Sequence, residues 1–324
     1  MPVIRAGALV LTVLNEARGL PVFLESLSAQ SVLPSEIVVV DGGSTDGTVD
    51  LLRAWPAPAN CMLTLLVRPG ASISEGRNIA VAQTSAERIL VTDGGTTLDP
   101  RWVERMLAAF DSPEAPQVVG GFFEPVGQSL TERTIAFAVT PELHEIEPTS
   151  FLPSSRSLAF VREAWESVEG YPEWLDYCED LIFDISMKNR GFVFAFVPEA
   201  IVTWSARSSV RSFMKQYFRY ARGDGKASLW WKRHLARYLA YIAGLLLLVG
   251  SFFTPWAAVA LALGFVFYMR KFWCRVWNRR ARFGPGLIWG LALVPLIVVA
   301  GDLAKMAGYP VGLRWRAAHA KANR

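Results

Sequence analysis

Between Tyr238 and Met269 the chain runs for 32 residues without one Asp, Glu, Lys or Arg. As a single helix this run would extend about 48 Å, against roughly 30 Å of bilayer hydrocarbon. Thr254-Pro255 stands near its middle. The run therefore predicts a helical hairpin, 236–253 and 256–271. A second uncharged run, Phe283 to Gly301, is interrupted by Pro295 and predicts a third span or a re-entrant helix over 284–304. Three such runs in so short a tail have too little polar protein around them to be the core helices of a soluble domain.

Charge divides the chain at the same place. Residues 1–205 hold 27 acidic and 13 basic side chains, a net −14, and residues 206–324 hold 2 and 20, a net +18. A basic half fits either nucleic acid or a membrane, and the apolar runs decide for membrane lipids and against nucleic acid. Arg270, Lys271, Arg275, Arg279, Arg280 and Arg282 form a basic stretch between the second and third runs. The positive-inside rule puts this stretch in the cytoplasm, and a hairpin before it puts residues 1–205 there too, on a protein integral to the cell's inner membrane. A full third span would carry Arg314, Arg316, Lys321 and Arg324 to the other side, against the same rule. Ala8–Leu14 is too short an apolar run for a signal peptide. Cys61, Cys178 and Cys274 lie far apart with no CxxC, which argues against a disulfide framework or a zinc site. The expected organisation is a catalytic domain over 1–205, interfacial helices over 206–235, a membrane region over 236–309 and a basic tail over 310–324.

In the acidic half, Ala8–Leu14 has the continuous apolar character of a strand buried on both faces. Helical spacing follows in Gly19–Gln30, then a strand over Glu36–Val40 ending at Asp41. Asp46–Ala54 reads as helix, Leu63–Val67 as strand, Ser74–Gln83 as helix and Arg88–Thr92 as strand ending at Asp93. Asp99-Pro100 has the form of an N-cap followed by proline at the first helical position. Ser157–Val161 reads as a strand and Leu181–Arg190 as a helix closed by Gly191. This alternation predicts an α/β fold, a Rossmann-like, mainly parallel sheet with helices on both faces. Open sheets of this kind bind ligands beyond the carboxyl ends of their strands. Asn15-Glu16, Asp41 and Asp93 should therefore converge on one crevice.

Asp41-Gly42-Gly43-Ser44-Thr45-Asp46-Gly47-Thr48 is the most specific string. Its glycines permit a tight turn and close backbone approach to a ligand. The acidic spacing is wrong for a calcium loop, and there is no GxGxxG. Together with Val13-Leu14-Asn15-Glu16-Ala17 it resembles the start of a family 2 glycosyltransferase of the GT-A fold. Gly76-Arg77-Asn78-Ile79-Ala80 is similar to that family's RN segment, Val91-Thr92-Asp93-Gly94-Gly95 stands where it has DxD, and Cys178-Glu179-Asp180-Leu181 resembles its ED segment. The match covers roughly the first 220 residues. It implies transfer of a sugar from a nucleoside-diphosphate sugar with inversion at the anomeric carbon. It further implies Asn15, Glu16, Asp41, Gly43, Arg77, Asn78 and Asp93 at the donor, Asp180 as catalytic base in preference to Glu179 or Asp184, and Glu179 near donor or acceptor. Arg77 and Asn78 could equally hold the crevice loops. Pro153-Ser154-Ser155-Arg156 falls on the acceptor side.

The chemistry asks for the same residue types. An attacking hydroxyl must lose a proton to a positioned carboxylate, and the departing diphosphate needs positive charge. A domain of net −14 would repel that diphosphate without a cation, so Mg2+ or Mn2+ is expected, bound partly by Asp93 and partly by phosphate oxygens. One departure stands out: the last position of DxD is Gly95. His144 and Asp99 are poor substitutes, Asp99 reading better as a helix cap.

Ser209–Arg222 predicts an amphipathic helix with Phe213, Met214, Tyr217 and Ala221 on one side and Arg211, Lys215, Arg219 and Arg222 at helical spacing. This composition suits an anionic membrane surface. Gln216-Tyr217-Phe218-Arg219-Tyr220 is also similar to the QxxRW motif of processive family members, which would bring Gln216 and Arg219 to donor or acceptor; a plain interfacial helix explains it as well. The expected activity is addition of a sugar to a lipid-linked or membrane-embedded acceptor on the cytoplasmic face. A processive polysaccharide synthase and a silent nucleotide-binding scaffold are the alternatives. Too few spans for a polysaccharide channel weigh against the first, and retained Asp41, Asp93 and Asp180 against the second.

Overall fold

The computed structural model describes residues 7–319; Lys321 and Arg324 of the expected basic tail lie outside the described residues. The elements run β1 (Ala8–Val13), α1 (Leu20–Ser28), β2 (Glu36–Asp41), α2 (Thr48–Ala54), β3 (Met62–Val67), α3 (Ile73–Gln83), β4 (Arg88–Val91), β5 (Thr96–Leu98), α4 (Trp102–Ala109) and β6 (Val118–Val126). They continue with α5 (Leu130–Val139), β7 (Leu158–Val161), α6 (Arg162–Ser167), α7 (Glu179–Asn189), β8 (Phe194–Ser205), α8 (Val210–Ala227), α9 (Trp231–Gly250), α10 (Pro255–Asn278) and α11 (Leu287–His319). They form two compact units, Met1–Glu124 with Leu143–Trp204, and Pro125–Glu142 with Ser205–Arg324. The segment Pro125–Glu142, expected within the first domain, belongs to the second unit, because the apolar side of α5 packs there: Ile135, Phe137 and Ala138 share a core with Phe213, Met269, Val276 and Val294.

The first unit is built on one sheet, ordered β3-β2-β1-β4-β7-β6-β8-β5. β3, β2, β1 and β4 run parallel. Beyond β4 the sheet is mixed, with β7 antiparallel to both β4 and β6. Alternation along the buried strands sends side chains to two cores. Leu9, Leu11, Ile37 and Val39 meet Leu20, Phe23, Trp102 and Met106 on one face. Ala8, Val10, Val38 and Val40 meet Ala80, Val81, Phe183 and Met187 on the other. Strands buried on both faces must read as unbroken apolar runs, as β1 does.

Helix starts differ from expectation by two residues in α2, α4 and α7, the last beginning at Glu179 rather than Leu181. α2 begins at Thr48 rather than Asp46, since Gly47 takes φ 92° and the Asp46 carboxylate turns back to accept from the Thr48 and Ala17 N–H groups. α4 begins at Trp102, with Arg101 rather than Asp99 at the N-cap position. Asp99 braces the preceding turn instead, accepting from the Arg101 N–H at 3.0 Å and pairing with Arg105 at 2.7 Å.

In the second unit, α10 and the stretch Gly284–His319 are long and apolar enough to cross a membrane, with mean hydropathies of 1.4 and 2.2. The expected first arm, 236–253, is not among them: it falls mostly in α9, which ends at Gly250 and whose opening turns carry Lys232, Arg233, His234 and Arg237. The third apolar run forms one helix through Pro295 and Pro310 to His319, so residues 310–319 are helical rather than a tail. The basic stretch after residue 269 is largely the end of α10. Arg275 is buried and donates to the Ala138 carbonyl at 3.1 Å, and Arg279 donates to that of Phe137 at 3.3 Å.

α8 also departs from expectation. It starts at the Ser209 cap but continues to Ala227, and its apolar side is covered by α11. Phe213 and Tyr217 lie over Gly301, while Gly308 and Gly312 bring α11 against the α8 backbone. Small residues four apart allow such close helix contact. A Cβ at position 312 would fall well inside contact distance of the Arg222 carbonyl oxygen and also meet the Lys226 nitrogen at 2.7 Å. Both are backbone atoms that cannot turn aside. Gly312→Ala should therefore destabilise the second unit by about 1–3 kcal/mol, the usual cost of overpacking. Thermal unfolding of the detergent-solubilised chain checks this; an unchanged midpoint would mean the helices part without cost.

Candidate active site

Three strand ends of the parallel half build the floor of the site. The chain leaves β1 through Asn15 in the left-handed region, φ 57°. From there it is tied to the loop after β2. The Asn15 N–H donates to Ser44 Oγ at 2.8 Å, the Glu16 N–H to Thr48 Oγ1 at 2.9 Å and the Ala17 N–H to Asp46 Oδ2 at 3.0 Å. In return the Thr45 N–H donates to Asn15 Oδ1 at 2.9 Å. Hydrogen bonds from the Thr48 hydroxyl and from the Ala17 and Thr48 N–H groups hold the Asp46 carboxyl below its usual range. Asp41 is fully buried. Its Oδ1 accepts from the Gly43 and Ser44 N–H groups at 2.9 and 2.8 Å, while Oδ2 has no partner. Through Oδ1, Asp41 shapes the turn. Gly43 has φ 97°, and a Cβ there would meet Pro69 at 3.1 Å, so this position accepts only glycine without strain.

Arg77 joins the other half of the site. From α3, with only 2% of its surface exposed, it donates to Asp93 Oδ1 at 3.1 Å and to Glu179 Oε1 at 2.8 Å. Its guanidinium stacks over the Tyr171 ring at 5.2 Å. It is a buried clamp between the two acids. Asn78 is likewise spent on the fold: its amide donates to the Tyr171 carbonyl and Glu173, and its carbonyl accepts from Trp165 Nε1 and the Tyr171 N–H.

Asp93 keeps 30% of its side chain exposed, and its second oxygen lies 3.4 Å from Arg156 Nε. Arg156 in turn stacks over Trp204. The sequence places Arg156 on the acceptor side with residues 153–155; the structure brings it to Asp93.

The acids of α7 fall into three environments. Cys178, just before the helix, has φ 66°. Left-handed backbone at a non-glycine residue costs on the order of 1 kcal/mol and clusters at functional sites. It starts the helix with Glu179 and Asp180 in the first turn, where the helix dipole favours negative charge. Glu179 is buried on Arg77; burial, then the Asp180 charge, push its carboxyl up to about 7 despite that partner. Asp180 is half-buried, with Oδ1 accepting from the Leu181 N–H at 2.9 Å and Oδ2 facing Ser154 Oγ at 3.5 Å. Asp184, one turn on, is completely buried with neither oxygen partnered, and burial raises its carboxyl well above the usual range. Of the three, Asp180 alone combines exposure with a place at the crevice.

Gln216 and Arg219 lie on α8 in the second unit, where Gln216 accepts from Arg207 Nε and donates to the Tyr220 hydroxyl. Exposed His144 and Asp99, bound to Arg105, supply nothing at Asp93. Among the described residues no group of three or more His, Cys, Asp or Glu is placed to hold a metal.

The family models match the chain over most of its length: glycosyl transferase family 2 over residues 8–150 and glycosyl transferase family group 2 over residues 88–301. The chain belongs to the family 2 glycosyltransferases. The succinoglycan biosynthesis protein ExoA of Rhizobium meliloti is 27% identical over 68% of this chain and 69% of its own. The undecaprenyl-phosphate 4-deoxy-4-formamido-L-arabinose transferase of Serratia proteamaculans is 28% identical over 36% of each. The mannosyltransferase PcManGT of Pyrobaculum calidifontis, solved with GDP-Man and Mn2+, superposes with a TM-score of 0.57 over 95% of this chain and 87% of its own, at 18% identity. The first unit thus has the GT-A fold, and this family 2 glycosyltransferase carries its acids at the strand ends where such sheets bind ligands.

Proposed function

We propose that this glycosyltransferase moves a sugar from a nucleoside-diphosphate sugar to a lipid-linked acceptor at the cytoplasmic membrane face, in a single inverting displacement with Asp180 as general base. The observation that carries this is the Arg77 clamp. One guanidinium holds Asp93 and Glu179 at 3.1 and 2.8 Å, so the acid at the donor's strand end and the helix bearing Asp180 are a guanidinium's width apart. A sugar lying over the clamp would have its diphosphate towards Asp93 and its anomeric carbon towards Asp180. A hydroxyl attacking from the Asp180 side gives up its proton to that carboxylate as the bond to phosphate breaks.

The donor set suits a divalent ion of the Mg2+ or Mn2+ kind. Asp93, 30% exposed at a strand end, is the carboxylate that would turn to such an ion from Arg77 and Arg156, and these ions take one or two carboxylates and complete their shell with phosphate and water. Bound there, the ion would neutralise the departing diphosphate. The lipid acceptor finds support in the undecaprenyl-phosphate transferase relative and in the apolar surface of the second unit. Phe252, Phe253, Trp256 and Ile288 are each more than three-quarters exposed, and large exposed apolar patches mark membrane or protein contacts. A cytoplasmic active site rests on the surplus of basic residues after residue 269 together with both arms of 236–271 crossing the membrane before it.

Purified protein in vesicles containing polyprenyl phosphate, given GDP- and UDP-sugars in turn, should transfer one sugar to the lipid, and EDTA should abolish the reaction. Full transfer in EDTA would move diphosphate stabilisation to Arg156. Release of free sugar with no labelled lipid would overturn the acceptor class.

A further inference from the structure

What packs against α11 fixes how the third apolar run meets the bilayer. The hairpin of α9 and α10 is bare. Among the described residues none between 242 and 267 is buried, and the buried ones of these two helices, His234, Met269, Arg275 and Val276, stand at its base. α11 meets the hairpin there: the buried Asp302 accepts from Arg237 Nε at 2.8 Å, from the Tyr241 hydroxyl at 3.2 Å and from the Tyr268 hydroxyl. On either side of this contact α11 keeps to the protein. Its buried residues run from Gly290 to Gly312, about 33 Å of helix. Beside Val294 and Ile297 lies α5, which carries Glu132 and Arg133, together with the basic end of α10, whose Arg275 and Arg279 bond to α5 carbonyls. Beside Gly301, Gly308 and Gly312 lies α8, with Arg211, Lys215, Arg219 and Arg222. Standing upright in the bilayer, α11 would carry these charges to the depth of the acyl chains, where they are costly.

We infer that α11 does not cross the membrane but lies along its cytoplasmic surface at the foot of the hairpin, with its exposed face resting on lipid. Trp289, Ala292, Leu296, Leu303, Ala307 and Val311 are exposed and fall within about a third of the helix circumference. They form an apolar stripe opposite the buried face, as in a helix that lies in the interfacial plane. Charge fits the anionic cytoplasmic leaflet. Arg280 and Arg282 precede the helix, Arg314 and Arg316 come near its end, and the one acid from 283 to 319, Asp302, is buried. An in-plane helix leaves all four arginines on one side, as the positive-inside rule asks, whereas a third span would part them. The inference rests on the membrane reading above and deepens it: α9 and α10 cross, and α11 does not.

The test is labelling of single cysteines by a membrane-impermeant maleimide, in a Cys274→Ser background and in sealed vesicles of either orientation. Cys61 and Cys178 are buried and stay in place. Ala281→Cys before α11 and Ala318→Cys near its end should both be labelled from the cytoplasmic side, and Ser251→Cys at the hairpin tip from the other. Spin labels on Ala292→Cys and Ala307→Cys, in vesicles of phosphatidylethanolamine and phosphatidylglycerol, should show equal ratios of oxygen to nickel-chelate accessibility. An upright helix would part them in depth by about 22 Å. Labelling of positions 281 and 318 from opposite sides overturns the inference and leaves a membrane enzyme with three spans. Unequal depths overturn it in favour of a re-entrant helix. Spin labels closed to both reagents overturn it as well, since protein rather than lipid would then cover the stripe. Labelling of all three positions from one side overturns the crossing hairpin itself, and the inference with it.

Discussion

Replacing Asp180 by Asn should lower sugar transfer by roughly 10²–10⁴-fold, the span typical for loss of a general base, and leave nucleotide affinity within about twofold. The amide keeps the shape and can still accept from the Leu181 N–H but takes up no proton. Initial rates with labelled donor and equilibrium binding of GDP or UDP measure the two separately. Asp184→Asn is the control: its side chain is fully buried and cannot meet an acceptor, so its transfer rate should stay near wild type. Equal losses in the two variants would place the chemistry elsewhere on α7.

The largest effect on stability should come from Arg77→Ala. Removing one partner from a buried charge pair typically costs about 3–5 kcal/mol, and here one guanidinium serves two carboxylates. For a unit of this size that is a fall in unfolding midpoint on the order of 10 °C. Arg77→Lys should recover little, since an ammonium lacks the planar fork that bridges two acceptors. The deficit should depend on pH. Glu179 already binds its proton more tightly in the fold than a free carboxyl does, at about 7, and loss of Arg77 raises that value further. A raised carboxyl favours the folded state where it is protonated and loses that advantage as pH rises through its folded value. The deficit should therefore be smaller at pH 5 than at pH 8. A midpoint within a degree or two of wild type at pH 8 would mean that the clamp is not a stabilising element.

What the sequence made legible follows from where the physics is local. β1 to β4 and the helices between them are written as apolar runs and helical spacings, each closing on itself within a few residues. The convergence of Asn15, Glu16 and Asp93 follows from strand-end logic. The antiparallel half was less visible, because β5, β6 and β8 are paired by contacts distant in sequence. For Arg77 and Asn78 the sequence left ligand contact and loop-holding open for the same reason. Whether a polar residue meets a ligand or another loop depends on partners such as Glu179 or Tyr171, about a hundred residues away, and no local spacing encodes them. α8 shows the same limit at helix level: its pattern marks an apolar side, but that α11 covers it depends on Gly301, Gly308 and Gly312.

The lock between the loops after β1 and β2 also bears on how this site can vary. The first loop gives mainly backbone N–H groups at 15, 16 and 17, whereas the second gives the side chains of Ser44, Asp46 and Thr48. Any residue but proline presents an N–H, so the lock restricts identity at 44, 46 and 48 and leaves 16 and 17 open. Related sequences should accordingly hold 44, 46 and 48 nearly constant, because the identity of this crevice is written in the loop that supplies side chains and not in the loop that supplies backbone.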